Sequence, residues 1–221
     1  MGWIESFAGM MTVDKFRAAM RDLPLIAILR GLKTAEAAEI GDVLVEAGFR
    51  LIEVPLNSPQ PLDSIALLSK RFPQAMIGAG TVLTAAEARD VASAGGELIV
   101  APNFDRDVVA ETVRLGMTSL PGIMTPTEAF AALAAGAHGL KLFPAELASP
   151  AVVKALLAVL PKGTSLIPVG GIGANNLGVW RAAGATGFGL GSSLYKPGDD
   201  AATVRAKAAA IVSAFRRTTS P

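Results

Sequence analysis

Short apolar runs recur along the chain at intervals of 21 to 27 residues. Each interval has room for one crossover helix and little more. Runs that are apolar almost throughout are typical of parallel strands covered on both faces. Eight runs are strand candidates: PLIAILR from Pro24, RLIEVPL from Arg50, AMIGAGT from Ala75, GELIVAP from Gly96, MTSLPG from Met117, HGLKLFP from His138, SLIPVGG from Ser165 and TGFGLGS from Thr186.

The segments between these runs have the pattern of helices. Thr84 followed by Glu87, and Thr125 followed by Glu128, have the spacing of capping boxes at two helix starts. A further helix is expected over 13–21, ahead of the first strand. Eight strand–helix units after a leading helix predict an α/β fold, a single-domain (β/α)8 TIM barrel over 1–221. An open, doubly wound sheet is the structural alternative, and the even spacing favours the barrel.

Composition narrows the function classes. The chain has 20 Lys and Arg against 19 Asp and Glu, a net charge of +1, which argues against nucleic-acid binding. It has no cysteine and one histidine, so a zinc or histidine-metal site is not expected. No apolar stretch is long and uninterrupted enough for a membrane helix. Because 1–11 lacks the features of an export signal, we expect a cytoplasmic protein, with 1–11 a loose extension.

Three charged residues fall late in predicted strands, where the active sites of such barrels lie. Arg30 ends the first strand, Glu53 sits in the second and Lys141 in the sixth. Strand alternation turns Glu53 and Lys141 toward the barrel interior, together with Phe143. Lysine and glutamate are rarely buried unless they are paired or used. A purely structural ion pair is the alternative for these two, and an exposed strand-end residue is the alternative for Arg30.

A lysine in a dry pocket has a specific use. Burial lowers its pKa and frees the amine to attack a ketone and form a Schiff base. The iminium withdraws electrons, so a neighbouring carbon–carbon bond can break. Glu53 has the chemistry to move the protons, and Arg30 can bind a substrate carboxylate through two hydrogen bonds. Gly80 and Thr81 end the third strand and can add a backbone N–H and a hydroxyl, unless they form only a tight turn.

Glycines follow the last two predicted strands. Gly170 and Gly171 come after the seventh, and Gly191 with Ser192 after the eighth. The usual phosphate site of such barrels is built from these two loops, because glycine lets backbone N–H groups approach an anion. We therefore expect a phosphate site here. Glycines serving only as tight turns are the alternative.

The motifs together resemble a known family. PLIAILRG, IEVPLNSPQ, IGAGTVL, APNF, PGIMTPTEA, LKLFPAE, PVGGI and GLGSSLY are similar, in order and over about 23–217, to the 2-keto-3-deoxy-6-phosphogluconate/galactonate aldolases. These are class I, Schiff-base lyases that need no metal or other cofactor. The resemblance implies a phosphorylated keto acid as substrate, pyruvate and glyceraldehyde 3-phosphate as products, and a homotrimer.

The resemblance also implies individual roles. Lys141 would form the Schiff base and Glu53 would shuttle protons. The pyruvate-derived carboxylate would bind at Arg30, Gly80, Thr81 and Phe143. The 6-phosphate would bind at the two glycine loops, Gly170, Gly171, Gly191 and Ser192.

The substrate epimer depends on two segments that disagree. EVPLNSPQ resembles the galactonate branch of the family, which implies a role in carbohydrate metabolism, in galactonate degradation. FPAE after Lys141 is instead similar to the gluconate enzymes. The sequence favours galactonate, with the gluconate epimer as the alternative. Two further functions remain open. One is a phosphosugar isomerase or synthase barrel, which needs no lysine in the sixth strand. The other is a catalytically silent protein that binds sugar phosphates.

Overall fold

The computed structural model describes residues 2–218, and the side chains from residue 11 onward. Nine strands run through this part of the chain: β1 (Leu25–Ile28), β2 (Leu51–Pro55), β3 (Met76–Gly80), β4 (Leu98–Val100), β5 (Thr118–Leu120), β6 (Gly122–Ile123), β7 (Leu140–Leu142), β8 (Leu166–Pro168) and β9 (Phe188–Leu190). Every strand pair is parallel, and β1 pairs with both β2 and β9. This is the curled parallel sheet that the spacing of apolar runs predicts.

Helices alternate with the strands. They are α1 (Gly2–Asp22), α2 (Thr34–Glu46), α3 (Pro61–Arg71), α4 (Ala85–Ser93), α5 (Arg106–Arg114), α6 (Pro126–Ala134), α7 (Pro150–Val159), α8 (Leu177–Ala182) and α9 (Ala201–Arg217). A 3-10 turn, Ala145–Leu147, follows β7. Both predicted capping boxes are present, at Thr84 with Glu87 and at Thr125 with Glu128. Among the described helices, none has both the length and the apolarity that crossing a membrane requires.

The sheet closes into a barrel. One group of strands runs in the order β5-β4-β3-β2-β1-β9 and the other in the order β6-β7-β8. A bridge between Val169 and Gly189 joins β8 to β9, and β5 and β6 are two halves of one strand. The eight-stranded barrel is confirmed, with one correction to the strand count. Pro121 has no N–H to donate, so the fifth strand is interrupted there.

Helix α1 covers the amino end of the barrel. Phe16 and Ala19 are buried with the inward-facing strand residues, and Met20 packs against them. The helix begins at Gly2, well before the expected 13–21. The expected loose extension over 1–11 includes Met1 and side chains that lie outside the described residues, so that expectation stays a prediction.

Two apolar layers sandwich the strands. Ile52 and Val54 of β2, and Leu140 and Leu142 of β7, belong to the large cluster between strands and helices. A smaller cluster fills the barrel interior: Phe16, Ala19, Ile26, Ile28, Leu51, Met76, Leu98, Val100, Leu120, Ile167 and Val169. The predicted alternation along β2 and β7 is therefore confirmed, because the residues between these outward neighbours point inward.

Candidate active site at the carboxyl end of the barrel

Glu53 is buried inside the barrel, with 1 % of its surface exposed. In register it lies between Ile28 of β1 and Gly78 of β3. Its carboxylate occupies space left by Gly80, where an added Cβ atom would lie 1.4 Å from Oε2. A residue other than glycine at position 80 would therefore displace the carboxylate.

The environment of Glu53 favours its protonated form. Oε2 has no hydrogen-bond partner among the described residues, and desolvation penalises the charged form of a buried acid. Burial raises the pKa of Glu53 to about 7, although the charges of Lys141 and Arg30 oppose the shift. A carboxyl group with a pKa near neutrality can both accept and return a proton.

Lys141 reaches the same interior from the opposite wall. It is 6 % exposed, and its Nζ lies 4.6 Å from the centroid of the Phe143 ring. Burial lowers the pKa of Lys141; the carboxylate of Glu53 opposes this shift, and the charge of Arg30 adds to it. The neutral amine, which is the nucleophilic form, is therefore favoured beyond what an exposed lysine allows.

Arg30 lies at the mouth of the barrel and is exposed. Its Nη1 donates to Oδ1 of Asn57 at 2.8 Å. The next residue, Gly31, donates its N–H to Oγ of Ser58 at 2.9 Å. The end of β1 is therefore tied to the loop that follows β2.

Thr81 directly follows β3 with a φ of +58°, a left-handed conformation that is uncommon for a residue other than glycine or asparagine. The adjacent carbonyl of Gly80 accepts the N–H of Leu56 at 2.8 Å, which links this turn to the end of β2. Strain of this kind at a strand end is frequent in functional sites. Gly80 and Thr81 thus stand beside Glu53 at the carboxyl end of the barrel.

The first glycine loop, at 170–171, has positive φ at both residues. The side-chain amide of Asn176 donates to the carbonyl of Gly171 at 2.8 Å and braces the turn. A Cβ atom on Gly170 would lie 2.0 Å from Oε2 of Glu146, in the 3-10 turn after β7. The sequence did not predict this acidic neighbour.

The second glycine loop lines a pocket of about 280 Å³. Gly191 and Ser192 contribute to it together with Arg30 and Lys196, and nothing lies within 4 Å of the place where a Cβ on Gly191 would project. Arg30 and this loop are therefore brought together, as β1 and β9 are neighbours, whereas the turn at 170–171 does not line this pocket. A larger cavity of about 620 Å³, between α2 and α9, contains no strand residue.

Sequence reasoning missed Asn57, Lys196 and Glu146. Asn57 follows the end of β2 by two positions and Lys196 follows Ser192 by four, so proximity along the chain was a usable signal for both. Glu146 meets its glycine loop only through barrel closure. Among the side chains of 11–218, no group of three or more histidine or acidic residues is placed to hold a metal ion.

Comparisons with known proteins agree on one family. The family model described as KDPG and KHG aldolase matches residues 16–207. A probable 2-dehydro-3-deoxy-6-phosphogalactonate aldolase of Rhizobium meliloti strain 1021 is 47% identical, covering 92% of this chain and 96% of its own. The 2-dehydro-3-deoxy-6-phosphogalactonate aldolase of Escherichia coli K12 is 46% identical, covering 88% and 95%.

A solved structure described as native KDPGal superposes with a TM-score of 0.88. It is 45% identical and covers 89% of this chain and 96% of its own. Sequence and structure comparisons therefore lead to the same conclusion over most of the chain. The chain belongs to the KDPG and KHG aldolase family, and it is a carbon–carbon lyase.

Proposed function

We propose that this chain is a class I aldolase that reversibly cleaves 2-dehydro-3-deoxy-6-phosphogalactonate to pyruvate and D-glyceraldehyde 3-phosphate. The observation that carries the proposal is the burial of Lys141 inside the barrel, where desolvation lowers the pKa of its amine. The names of the two curated relatives support the substrate. The whole chain would act as one barrel domain in the cytoplasm, where a charged phosphorylated substrate is retained.

The reaction begins at the amine of Lys141. The neutral amine attacks the C2 carbonyl of the substrate, and loss of water from the resulting carbinolamine leaves an iminium. Removal of the C4 hydroxyl proton then breaks the C3–C4 bond and releases glyceraldehyde 3-phosphate. The electron pair of that bond moves into an enamine, which is protonated at C3, and hydrolysis of the iminium releases pyruvate.

Glu53 serves the proton transfers. It gives a proton to the departing hydroxyl of the carbinolamine, takes the C4 hydroxyl proton and returns a proton to the enamine carbon. Its pKa of about 7 suits all three steps, because both protonation states are populated near neutral pH. Gly80 supports this role, since the missing Cβ leaves room for the carboxylate.

Two groups of residues would hold the ends of the substrate. Arg30, Gly80, Thr81 and Phe143 bind the pyruvate-derived carboxylate in this proposal, and Gly170, Gly171, Gly191 and Ser192 bind the phosphate. The open space beside Gly191 and the positive φ angles at 170–171 support backbone approach to an anion. No metal or other cofactor takes part in these steps.

The chemistry is tested by trapping. The protein is incubated with pyruvate and borohydride, and the modified peptide is mapped by mass spectrometry. We expect a reduced pyruvate adduct on Lys141. Folded protein that gives no adduct would contradict the Schiff-base mechanism.

The substrate epimer is tested separately. Pyruvate release from each epimer is followed with lactate dehydrogenase, a coupling enzyme that reports both substrates equally. We expect kcat/KM to be about tenfold or more higher for the galactonate compound, which is within what a small pocket difference achieves. The FPAE segment, 143–146, favours the gluconate epimer as the second candidate, and a higher kcat/KM on that compound would establish it.

We also propose that the chain forms a homotrimer. Large apolar side chains are exposed on the barrel surface, among them Leu83, Phe130 and Leu147, and burial against neighbouring copies would remove them from water. Light scattering after size exclusion tests this: the expected mass is three times the 22.6 kDa of the chain. A mass equal to that of one chain would contradict the trimer.

A further inference from the structure

The turn at 30–31 is held between two loops. On one side the N–H of Gly31 donates to Oγ of Ser58, which is 8 % exposed. On the other side Gly31 packs against the loop after β9, because an added Cβ would lie 2.6 Å from Cγ of Pro197. With φ at +80°, Gly31 accepts a conformation that side chains resist. The backbone beside Arg30 is therefore fixed, and its side chain alone can change direction.

Arg30 has two possible anionic partners within its reach. Its side chain lines the pocket formed with Gly191, Ser192 and Lys196, where the phosphate is proposed to bind. It also acts on the interior of the barrel, since its charge opposes the rise in the pKa of Glu53. The proposed substrate carries both a phosphate and a carboxylate, so a further residue has to determine which of these two groups Arg30 binds.

Asn57 is placed to orient the guanidinium of Arg30. Its Oδ1 accepts Nη1 of Arg30 at 2.8 Å. The loop that carries Asn57 is itself anchored, because the N–H of Ser58 donates to Pro55 at 2.9 Å and the N–H of Leu56 donates to Gly80 at 2.8 Å. The hydrogen bond thus ties the guanidinium, which lies beside the loop after β9, to the loop after β2.

The residue type matters as much as the position. An amide oxygen accepts one guanidinium N–H and leaves the positive charge and the remaining donors available for a carboxylate. An aspartate in the same place would pair with Arg30 and repel the substrate. A side chain without an acceptor would release the guanidinium.

We propose that Asn57 is a positioning residue that holds Arg30 at the carboxylate-binding end of the site, beside Gly80 and Thr81. The inference rests on the proposed function. Asn57 keeps Arg30 from being taken by the phosphate, so that pyruvate and the intact substrate present their carboxylates to the same group. The loss of Asn57 should therefore weaken recognition of the carboxylate and leave the amine chemistry intact.

The test compares a charged ketone with an uncharged one. Adduct formation on Lys141 is measured with cyanoborohydride at increasing concentrations of pyruvate and of methyl pyruvate, which lacks the carboxylate charge. We expect Asn57→Ala to raise the half-saturating concentration of pyruvate about tenfold, the size of effect typical of one hydrogen bond to a charged group. Methyl pyruvate should saturate as in the wild type. Asn57→Asp should raise the pyruvate value further.

Three controls make the outcome specific. Asn103→Ala removes an exposed asparagine whose amide bonds the neighbouring Phe104 carbonyl, and it should leave both ketones unaffected. Arg30→Ala should lose the preference for pyruvate at least as strongly as Asn57→Ala, and adding Asn57→Ala to it should have no further effect. Asn57→Ser replaces Asn57→Ala if the latter does not fold.

The possible results separate cleanly. A preference for pyruvate that survives in Asn57→Ala overturns the inference, as does a loss that affects both ketones equally or persists in the Arg30→Ala background. Wild-type protein that forms no adduct with either ketone contradicts the proposed function itself. A selective loss of pyruvate recognition supports both.

Discussion

At the amino end of the barrel interior, β2 and β3 present Leu51 and Met76, and α1 places Phe16 against them. Two to four residues further along the same strands, the inward positions hold Glu53 and Gly80, and one carboxylate oxygen has no hydrogen-bond partner in the part of the chain that the structure describes. The first region removes apolar surface from water, which stabilises the fold. The second region holds a buried acid in the space that a glycine leaves for it, and burial of an ionisable group opposes stability. The contrast indicates that one end holds the barrel together while the other is arranged for chemistry.

A change at Lys141 should have the largest effect, because it should abolish activity and leave the fold intact. Lys141→Arg keeps a positive charge but loses the amine nucleophile, so aldol cleavage should fall about 10⁴-fold or more, as when other enzymes lose their nucleophile. Cleavage of the galactonate compound, followed by pyruvate release, measures the loss. Circular dichroism confirms that the variant is folded. A variant that retains much of its activity would favour the isomerase or synthase interpretation.

Changing Glu53 should give the next largest effect. Glu53→Gln keeps the shape but cannot transfer protons, so kcat should fall about 10²- to 10⁴-fold, the usual contribution of a positioned acid–base group. The Lys141 adduct with pyruvate should still form, more slowly. Steady-state kinetics and trapping on the same preparation separate the two readouts.

Gly80→Ala offers a matched test of the same carboxylate. Its Cβ would lie 1.4 Å from Oε2 of Glu53, so the acid must move and kcat should fall as in Glu53→Gln. Gly191→Ala meets open space instead and should spare adduct formation with pyruvate, which carries no phosphate. Equal loss of the adduct in both variants would contradict the conclusion that Gly80 makes room for the Glu53 carboxylate.

The amino end should respond in the opposite way. Phe16 is 3 % exposed within the inner cluster, and Phe16→Ala should lower the free energy of unfolding by about 3–5 kcal/mol. Urea unfolding measures the loss, and kcat per folded protein should be unchanged. Met11→Ala is the control on the same helix, because Met11 is 63 % exposed. A Phe16 variant of normal stability but low kcat would reverse the comparison.

The sequence predicted the side of the strand on which each of these residues lies, because a period of two fixes inward and outward positions along β2 and β7. The barrel itself was predictable from the even spacing of strands. The break at Pro121 was harder to predict, since a single proline can end a strand or merely interrupt it. The start of α1 at Gly2 was also hard to predict, because the residues ahead of 13 show no clear apolar stripe.

Contacts between loops were beyond sequence reasoning. Arg30 meets Asn57 across two strands, and Glu146 meets Gly170 only because β7 and β8 are adjacent. Loops have no fixed side-chain period, so neither pairing follows from a pattern. The charged residue types at the site were predictable because each breaks an apolar run, whereas the residues that orient them lie in polar segments, where closeness to a strand end is the one signal and names no partner.

The smallest expected effect is a pH-dependent difference in the free energy of unfolding between the wild type and Glu53→Gln. The pKa of Glu53 rises from 4.5 to about 7 on folding, because burial favours the neutral acid. Below 4.5 the carboxyl group is protonated in both states and stability is at its fullest. As the pH rises from 4.5 through 7, the unfolded chain releases its proton before the folded one does, and up to about 3 kcal/mol of stability is lost relative to Glu53→Gln by the point at which the buried carboxylate ionises.

Urea unfolding of both proteins at pH 4.5 and pH 8 measures this difference. The wild type should lose stability across that window by more than Glu53→Gln does. Arg30→Met removes a cation that opposes the pKa rise, so in that variant the loss should move to higher pH. If wild type and Glu53→Gln follow the same curve, burial of the carboxylate carries no cost. The carboxyl end of the barrel would then bear no stability cost for its buried acid, and the proposed division between fold and chemistry would not hold.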